Sequence, residues 1–289
     1  MFFNLTDFPF GEIIYFSFIC YFLYFFFRGD KSINFIMSSI IIFLYFFYLS
    51  WGLNYFRLPL NRFISNEVVI SEKNIEKLTR FISIQCNNLK SEINAKKNKT
   101  NILNSYKKLI EFKGEKFKYS NYSLILNHMG IKGYYNPFTN EANVNSRIPE
   151  TLIPVTIYHE LAHKQGFASE RDANFVGFLN AYNNYNIEIQ YSACFFAFRY
   201  LYHDLHEINP ILAKNIYESL SIEVKNDILK VSDFWKNYSN IFQKIQKTIF
   251  DIFLKTNGQK KGINSYNDIV KLLLFTFDGK SKFILNGND

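Results

Sequence analysis

The apolar positions fall into three regimes along the chain. From residue 13 to 56 they are nearly continuous, from about 71 they recur every third or fourth residue, and between 133 and 150 Gly, Pro and Asn interrupt them. The run 32–56, "SINFIMSSIIIFLYFFYLSWGLNYF", carries no charged side chain. It exceeds the roughly 20 residues a helix needs to cross a ~30 Å hydrocarbon core. Tyr48, Trp51 and Tyr55 gather toward one end, as interfacial aromatics do. The preceding run 13–27 is apolar between Glu12 and Arg28. It has no basic segment before it and no small-residue cleavage site after it, which predicts a membrane helix and not a cleaved leader. The expectation is a transmembrane helical hairpin within residues 1–56, with spans at about 10–28 and 33–54. Arg28 and Lys31 beside the connector favour a cytoplasmic connector, with the N-terminus and the C-terminal domain outside.

The second regime, residues 57–289, predicts one further domain. In 71–95 the apolar residues Ile75, Leu78, Phe81 and Ile82 share a face, with Ser71 placed to cap an amphipathic helix. A helix is expected over 101–113, and either helix or strand over 121–129. Turns and short strands follow to about 150, and helix from there almost to the end. The fold class is therefore mainly α with a small β element, an α+β domain, behind the hairpin.

Composition adds little. The net charge of +8 comes without a lysine block or a nucleic-acid reading motif, so no nucleic-acid partner is expected. Cys20, Cys86 and Cys194 stand alone, which excludes a cysteine zinc knuckle and reads as small apolar residues.

The chemistry is concentrated in "TIYHELAHKQGFASERDANFVGF", residues 156–178. His159 and His163 are one helical turn apart, so both imidazoles leave one face and can bind one Zn²⁺. Glu160 can reach a water held there and act as general base, the H-E-x-x-H arrangement. A catalytic zinc needs a third protein ligand and an open position. Gly166 can end the first helix and Ser169 can cap a second, with Asp172 as its partner. A tight turn between the two brings Glu170 toward the histidines, with Asn174 one turn on to orient a ligand and Ala173 small enough for close approach. Asp172, Glu188, His203 and His206 remain rival third ligands.

Five segments together carry a resemblance: "WGLNYFRLPL" (51–60), "GYYNPFTNEANVN" (133–145), "PVTIYHELAHKQGFASERDANFVGFL" (154–179), "QYSA" (190–193) and "FLKTNGQKKGINSYNDIVKLLL" (253–274). In this order the chain resembles the bacterial membrane-anchored family catalogued as domain of unknown function 3810. The resemblance implies N-terminal membrane helices followed by a zincin-like H-E-x-x-H metallopeptidase domain at the bacterial cytoplasmic membrane. It also implies one more helix before "DFPFGEI" (7–13), hence a truncated or misassigned start. The element from Glu170 to Asn174 is similar to the third-ligand motif of gluzincin-type peptidases, with a shorter gap after the second histidine.

Other residues complete the expected cleft. The strand 140–145 is either a substrate-pairing edge at its rim, presenting Asn143 and Asn145, or a structural turn and strand, with Glu141 a cleft acid or a solvated charge. Tyr191 can donate to an oxyanion or be an ordinary tyrosine at the edge of the core, while His203 and His206 face solvent or satisfy the core. The function expected is a membrane-anchored metallopeptidase holding one zinc and acting on peptide or protein. The alternative is a non-catalytic zinc-binding structural or signalling protein in the same membrane.

Overall fold

The computed structural model describes residues 6–28, 33–62, 70–96, 116–262, 268–277 and 283. The helix expected over 101–113 and the connector that set the membrane orientation lie outside these.

Helices α1 (Phe10–Arg28) and α2 (Ile33–Ser50) form where the apolar runs predict them. α1 has the expected bounds, whereas α2 is shorter than expected. α2 stops at Ser50, and Gly52–Phe56 continues as a 3₁₀ turn. Eighteen residues rise only about 27 Å, short of the hydrocarbon core. Among the described residues no helix is long and apolar enough to cross a membrane. α1 also begins inside the protein: Glu141 accepts from the backbone N–H of Phe10 (3.1 Å) and Gly11 (2.7 Å), capping its first turn. Further along, Phe16, Ile19, Tyr24, Ile41, Ile42, Tyr45 and Leu49 point outward.

The aromatics gathered at the end of α2 pack on the following domain. Tyr48 donates to Asn257 Oδ1 (2.8 Å), and Tyr55 lies against Phe253.

Helix α3 (Glu72–Ala95) is capped by Ser71, which accepts from Asn74 N–H, and buries Ile75, Leu78 and Ile82. The segment left open between helix and strand is a helix, α4 (Ser123–Met129), ended by Gly130 at φ 72°. Strands β1 (Phe117–Tyr119), β2 (Gly133–Asn136) and β3 (Glu141–Val144) form one sheet in the order β1-β3-β2. β3 runs parallel to β1 and antiparallel to β2. Then come α5 (Ile153–Lys164), α6 (Glu170–Tyr182), α7 (Ile187–Ile208), α8 (Pro210–Glu218), α9 (Ile222–Asn237), α10 (Ile241–Thr256) and α11 (Ile269–Thr276).

The molecule is thus mainly helical with a small three-stranded sheet. α5 crosses the sheet on one side and meets α6 and α7 on the other. Leu161, Phe175, Phe178, Phe195 and Phe198 fill the centre, all essentially without solvent contact. Cys86 and Cys194 are buried there as small apolar residues, whereas Cys20 is exposed on α1.

Candidate metal centre

α5 and α6 form an antiparallel helical hairpin. Gln165 caps α5, and Gly166 adopts φ 89°, a left-handed conformation that glycine enters without steric cost. Arg57 closes over the turn, donating to the carbonyls of Gln165 (3.4 Å) and Gly166 (3.3 Å). Ser169 then caps α6 by accepting from Asp172 N–H. The two helices approach closely at Gly177: a Cβ there would stand 2.9 Å from His159 N and 3.0 Å from His159 Cα. Ala173 is fully buried, as its size predicts, but the glycine marks the close approach.

This hairpin brings Glu170 to the two histidines. His159 Nε2 and His163 Nε2 stand 3.1 Å apart. Glu170 places Oε2 3.2 Å from His159 Nε2 and Oε1 3.6 Å from His163 Nε2. Ligand atoms held tetrahedrally at 2.0–2.1 Å from an ion stand about 3.3 Å apart, so the triangle is close to the size a zinc ion needs.

The tautomer also fits. His163 Nδ1 lies 2.8 Å from the carbonyl oxygen of Phe167, which can only accept, so Nδ1 carries hydrogen and in the neutral ring Nε2 keeps its lone pair. Glu160 is the other nearby carboxylate: one donor atom from each of His159, Glu160 and His163 falls within 4.8 Å of the others. Glu170 is the better third ligand, because its carboxylate oxygens reach both Nε2 atoms.

The electrostatics are those of a metal-free cluster in a tight space. Burial pushes Glu160 up to about 8; His163 and Lys132 oppose this and Glu170 adds to it. Burial alone lowers His163, but the Glu170 charge and hydrogen bond, with Glu160, outweigh it and lift it to about 9. Burial lowers His159. Burial would raise Glu170, but the two imidazoles hold it well below the carboxylate range. The His159 side chain is 16% exposed against 8% for His163 and Glu170, so it marks the side open to solvent.

The surroundings include residues the sequence reading missed. A Cβ at Gly133 would stand 2.8 Å from Glu160 Oε1, so the first residue of β2 leaves room for that carboxylate. Trp51 donates Nε1–H to His163 O (3.1 Å) and sets its ring edge-on to the imidazole. Tyr55 and Tyr200 both feel the Glu170 charge, and Lys132 feels both Glu160 and Glu170. A cavity of about 650 Å³ opens beside the α5–α6 turn, lined by Tyr55, Arg57, Phe167, Ser169 and Lys260 among others, and does not include the histidines. The cluster itself lies outside that cavity.

Several expected site residues lie elsewhere. β3 is the central strand, paired on both sides, so it is not an exposed edge. Asn143 is fully buried and donates to Glu141 O (3.2 Å). Asn145 is fully buried too, donating to Asn127 Oδ1 (2.7 Å) and Ile131 O (3.0 Å). The edge next to Glu160 is β2. Glu141 is neither a cleft acid nor solvated: it caps α1 and pairs with Lys118 at 2.5 Å. Tyr191 donates to Asp227 Oδ2 (2.8 Å) beneath Lys90, among the residues joining α3, α7 and α9, and is not brought to the cluster.

Asn174 is buried, with its amide nitrogen unpartnered. Its helix carries it, but no bond ties it to a histidine or to Glu170. Asp172 accepts from Leu60 N–H and pairs with Arg171. His203 is exposed beside Asp204, and His206 stacks on Tyr202.

No curated protein and no solved structure matches the chain. The sequence itself does have a family: the chain belongs to the one described as protein of unknown function (DUF3810), whose model matches residues 1–274.

Proposed function

We propose that the protein is a membrane-anchored zinc metallopeptidase. The observation that carries this reading is the triangle of His159 Nε2, His163 Nε2 and a Glu170 carboxylate, with edges of 3.1, 3.2 and 3.6 Å and a Glu160 carboxylate oxygen within 4.8 Å of the histidine nitrogens. His159, His163 and Glu170 would hold the ion. When bound, zinc lowers the pKa of a coordinated water toward 7.

Everything else is done by the chain. Glu160 takes the proton of the attacking water at its carboxylate and passes it to the leaving amine. Phe167 O fixes the tautomer of His163, and Trp51 holds the end of α5 in place. An extended substrate pairs with β2. Asn145 N–H donates to Lys132 O, so in an antiparallel ladder the main-chain groups of Gly133 and Tyr135 point to the unpaired side of that edge. The outward apolar faces of α1 and α2 lie in the lipid bilayer as a hairpin anchor.

Metal content by mass spectrometry on detergent-purified protein tests the reading. About one zinc per chain is expected, with loss or strong weakening in Glu170→Ala. A wild-type protein that takes up no zinc on reconstitution overturns it.

A further inference from the structure

Outside the hairpin, α10 is the helix that leaves its apolar face uncovered. Ile241, Phe242, Ile245, Ile249 and Ile252 are 49–66% exposed, and no other described helix of the domain exposes more than two large apolar side chains. Only Leu254 of α10 is buried. Ile241, Ile245, Ile249 and Ile252 recur every three or four residues. They form one stripe, with Phe242 at its edge, along a helix of 16 residues that is about 24 Å long.

α10 lies across the foot of the hairpin. At its C-terminal end Phe253 packs on Phe47 (ring centroids 5.9 Å apart) and on Tyr55 (5.9 Å), and Asn257 accepts from Tyr48 Oη (2.8 Å). Phe253 is one turn beyond Ile249, so the stripe adjoins the end of α2. At the N-terminal end Asn240 donates to His128 O (3.1 Å) on α4. Asn121, just before α4, donates its N–H to Glu12 in the first turn of α1 (3.1 Å). α4 adds two exposed apolar side chains of its own, Leu124 and Ile125. The height of this surface follows from the hairpin. α2 rises only about 27 Å. A hairpin that short, sunk in a ~30 Å hydrocarbon core, leaves its foot at the boundary between hydrocarbon and headgroups.

The charge on α10 names the kind of surface it meets. From residue 241 to 261 there are five lysines and one acid, Asp251. Lys255 pairs with Asp251 (2.6 Å) and Lys261 with Asp268 (2.7 Å). Among the described residues no acid pairs with Lys244, Lys247 or Lys260, and all three are exposed. An apolar stripe with an uncompensated basic flank suits a helix lying in the plane of an anionic bilayer surface, where long lysine stems reach the headgroups.

We infer that α10 is an interfacial helix, which lays its isoleucine stripe into the headgroup region of an anionic membrane at the foot of the hairpin. It takes its height from the hairpin anchor proposed above and takes nothing from the metallopeptidase chemistry.

The test uses the full chain, reconstituted into vesicles of phosphatidylethanolamine with phosphatidylglycerol, or of phosphatidylcholine alone. Cys20→Ser removes the exposed thiol. In that background Ile245→Cys, Lys247→Cys and Ile41→Cys each carry an environment-sensitive fluorophore. In the anionic vesicles the label at 245 is expected to shift to the blue and to be quenched by nitroxides on the lipid chains. The label at 247, on the other side of α10, should stay in water. In phosphatidylcholine the response at 245 should be weaker. A label at 245 that stays in water in the anionic vesicles, or that responds equally in both lipids, overturns the inference. So does a blue shift without quenching from the lipid, which would mean that a second copy of the chain covers the stripe. The label at 41, on α2, keeps this result separate from the anchor. Lipid contact at 41 with water at 245 leaves the hairpin anchor standing alone. Water at 41 with lipid contact at 245 leaves the surface helix standing and the hairpin anchor fallen.

Discussion

Two buried acidic clusters flank the sheet, and they are built on opposite principles. Around β1 and the start of α1, Glu12 and Glu141 are saturated. Glu12 accepts from Ser120 Oγ (2.5 Å), Asn121 N–H (3.1 Å) and Tyr134 Oη (3.0 Å). Glu141 accepts from two backbone N–H groups of α1, from Thr139 (2.9 Å) and from Lys118. Each carboxylate oxygen there has at least one donor, which is how a buried charge is made tolerable.

Around α5 and α6 the opposite holds. Two imidazole nitrogens and a carboxylate face one another at about 3 Å with too few protons among them. His159 Nδ1 and Asn174 Nδ2 are buried without partners. A carboxylate whose oxygens all have donors is finished structure; lone pairs that converge on one point with few donors are what a ligand site needs. Composition does not separate the two, since each has glutamates and cations. Only the count of donors does.

Exchanging the outcomes of two substitutions would break this comparison. Glu160→Gln keeps the shape of the unsaturated cluster and removes its base. Hydrolysis is expected to fall by about 10²–10⁴-fold, while zinc content and melting temperature stay near wild type. Full activity in that variant would falsify the base assignment. Glu141→Ala acts on the saturated cluster and leaves Lys118 buried without its counter-charge. It should cost about 3–5 kcal/mol of stability, read by thermal or denaturant unfolding, with unchanged zinc per folded molecule. A Glu141→Ala protein of normal stability that loses zinc would mean the two clusters are one site.

How much of this was legible beforehand follows from the range of each signal. Ser71, Gly166 and Ser169 act on their own helix ends, and their roles could be read from neighbours within four residues. The same short range made His159, Glu160, His163 and Glu170 readable as a set. Glu141 was misread because its partners, Phe10 and Gly11, are some 130 residues away. The strand 140–145 left edge and structural strand open for a related reason: alternation shows that a strand exists, but sheet order decides whether it is central or edge. Tyr191 follows α5 and α6 in sequence, yet its hydroxyl is committed to Asp227 on α9. The apolar hairpin was legible as helices and not in length, since Gly52 and the packing of Trp51 on His163 end α2 early. Gly133 and Gly177 gave no signal at all, because what makes them necessary is the close approach of another chain segment.

Gly177 offers a finer way to sharpen the comparison. Ala at this position puts a methyl against the backbone of His159, which cannot swing aside as a side chain can. Overpacking of this kind costs about 1–3 kcal/mol, and here the strain falls on the backbone of His159. Gly177→Ala is therefore expected to weaken zinc binding as well as stability. Gly133→Ala, which presses on Glu160, is expected to lower the rate with zinc retained. The same two readouts, zinc affinity and turnover, thus separate ligand from base without touching either.

The smallest effect per step is that of pH on the metal-free cluster, and its sign is fixed. His163 is raised to about 9 by its acidic neighbours against the effect of burial, so below that value the empty site holds a proton that zinc must displace. Apparent zinc affinity should then fall about tenfold for each pH unit below about 9, and flatten above it. Stability of the metal-free protein should run the other way. The His163–Glu170 attraction contributes fully below the unfolded histidine value of about 6.5 and is lost as pH rises through about 9. Competition titrations with a zinc chelator, paired with melting curves of metal-free protein across that window, measure both slopes. Opposite slopes mean that proton and metal compete for one set of lone pairs. Parallel slopes would place the metal on other atoms and leave the histidine pair a proton-sharing element of the core.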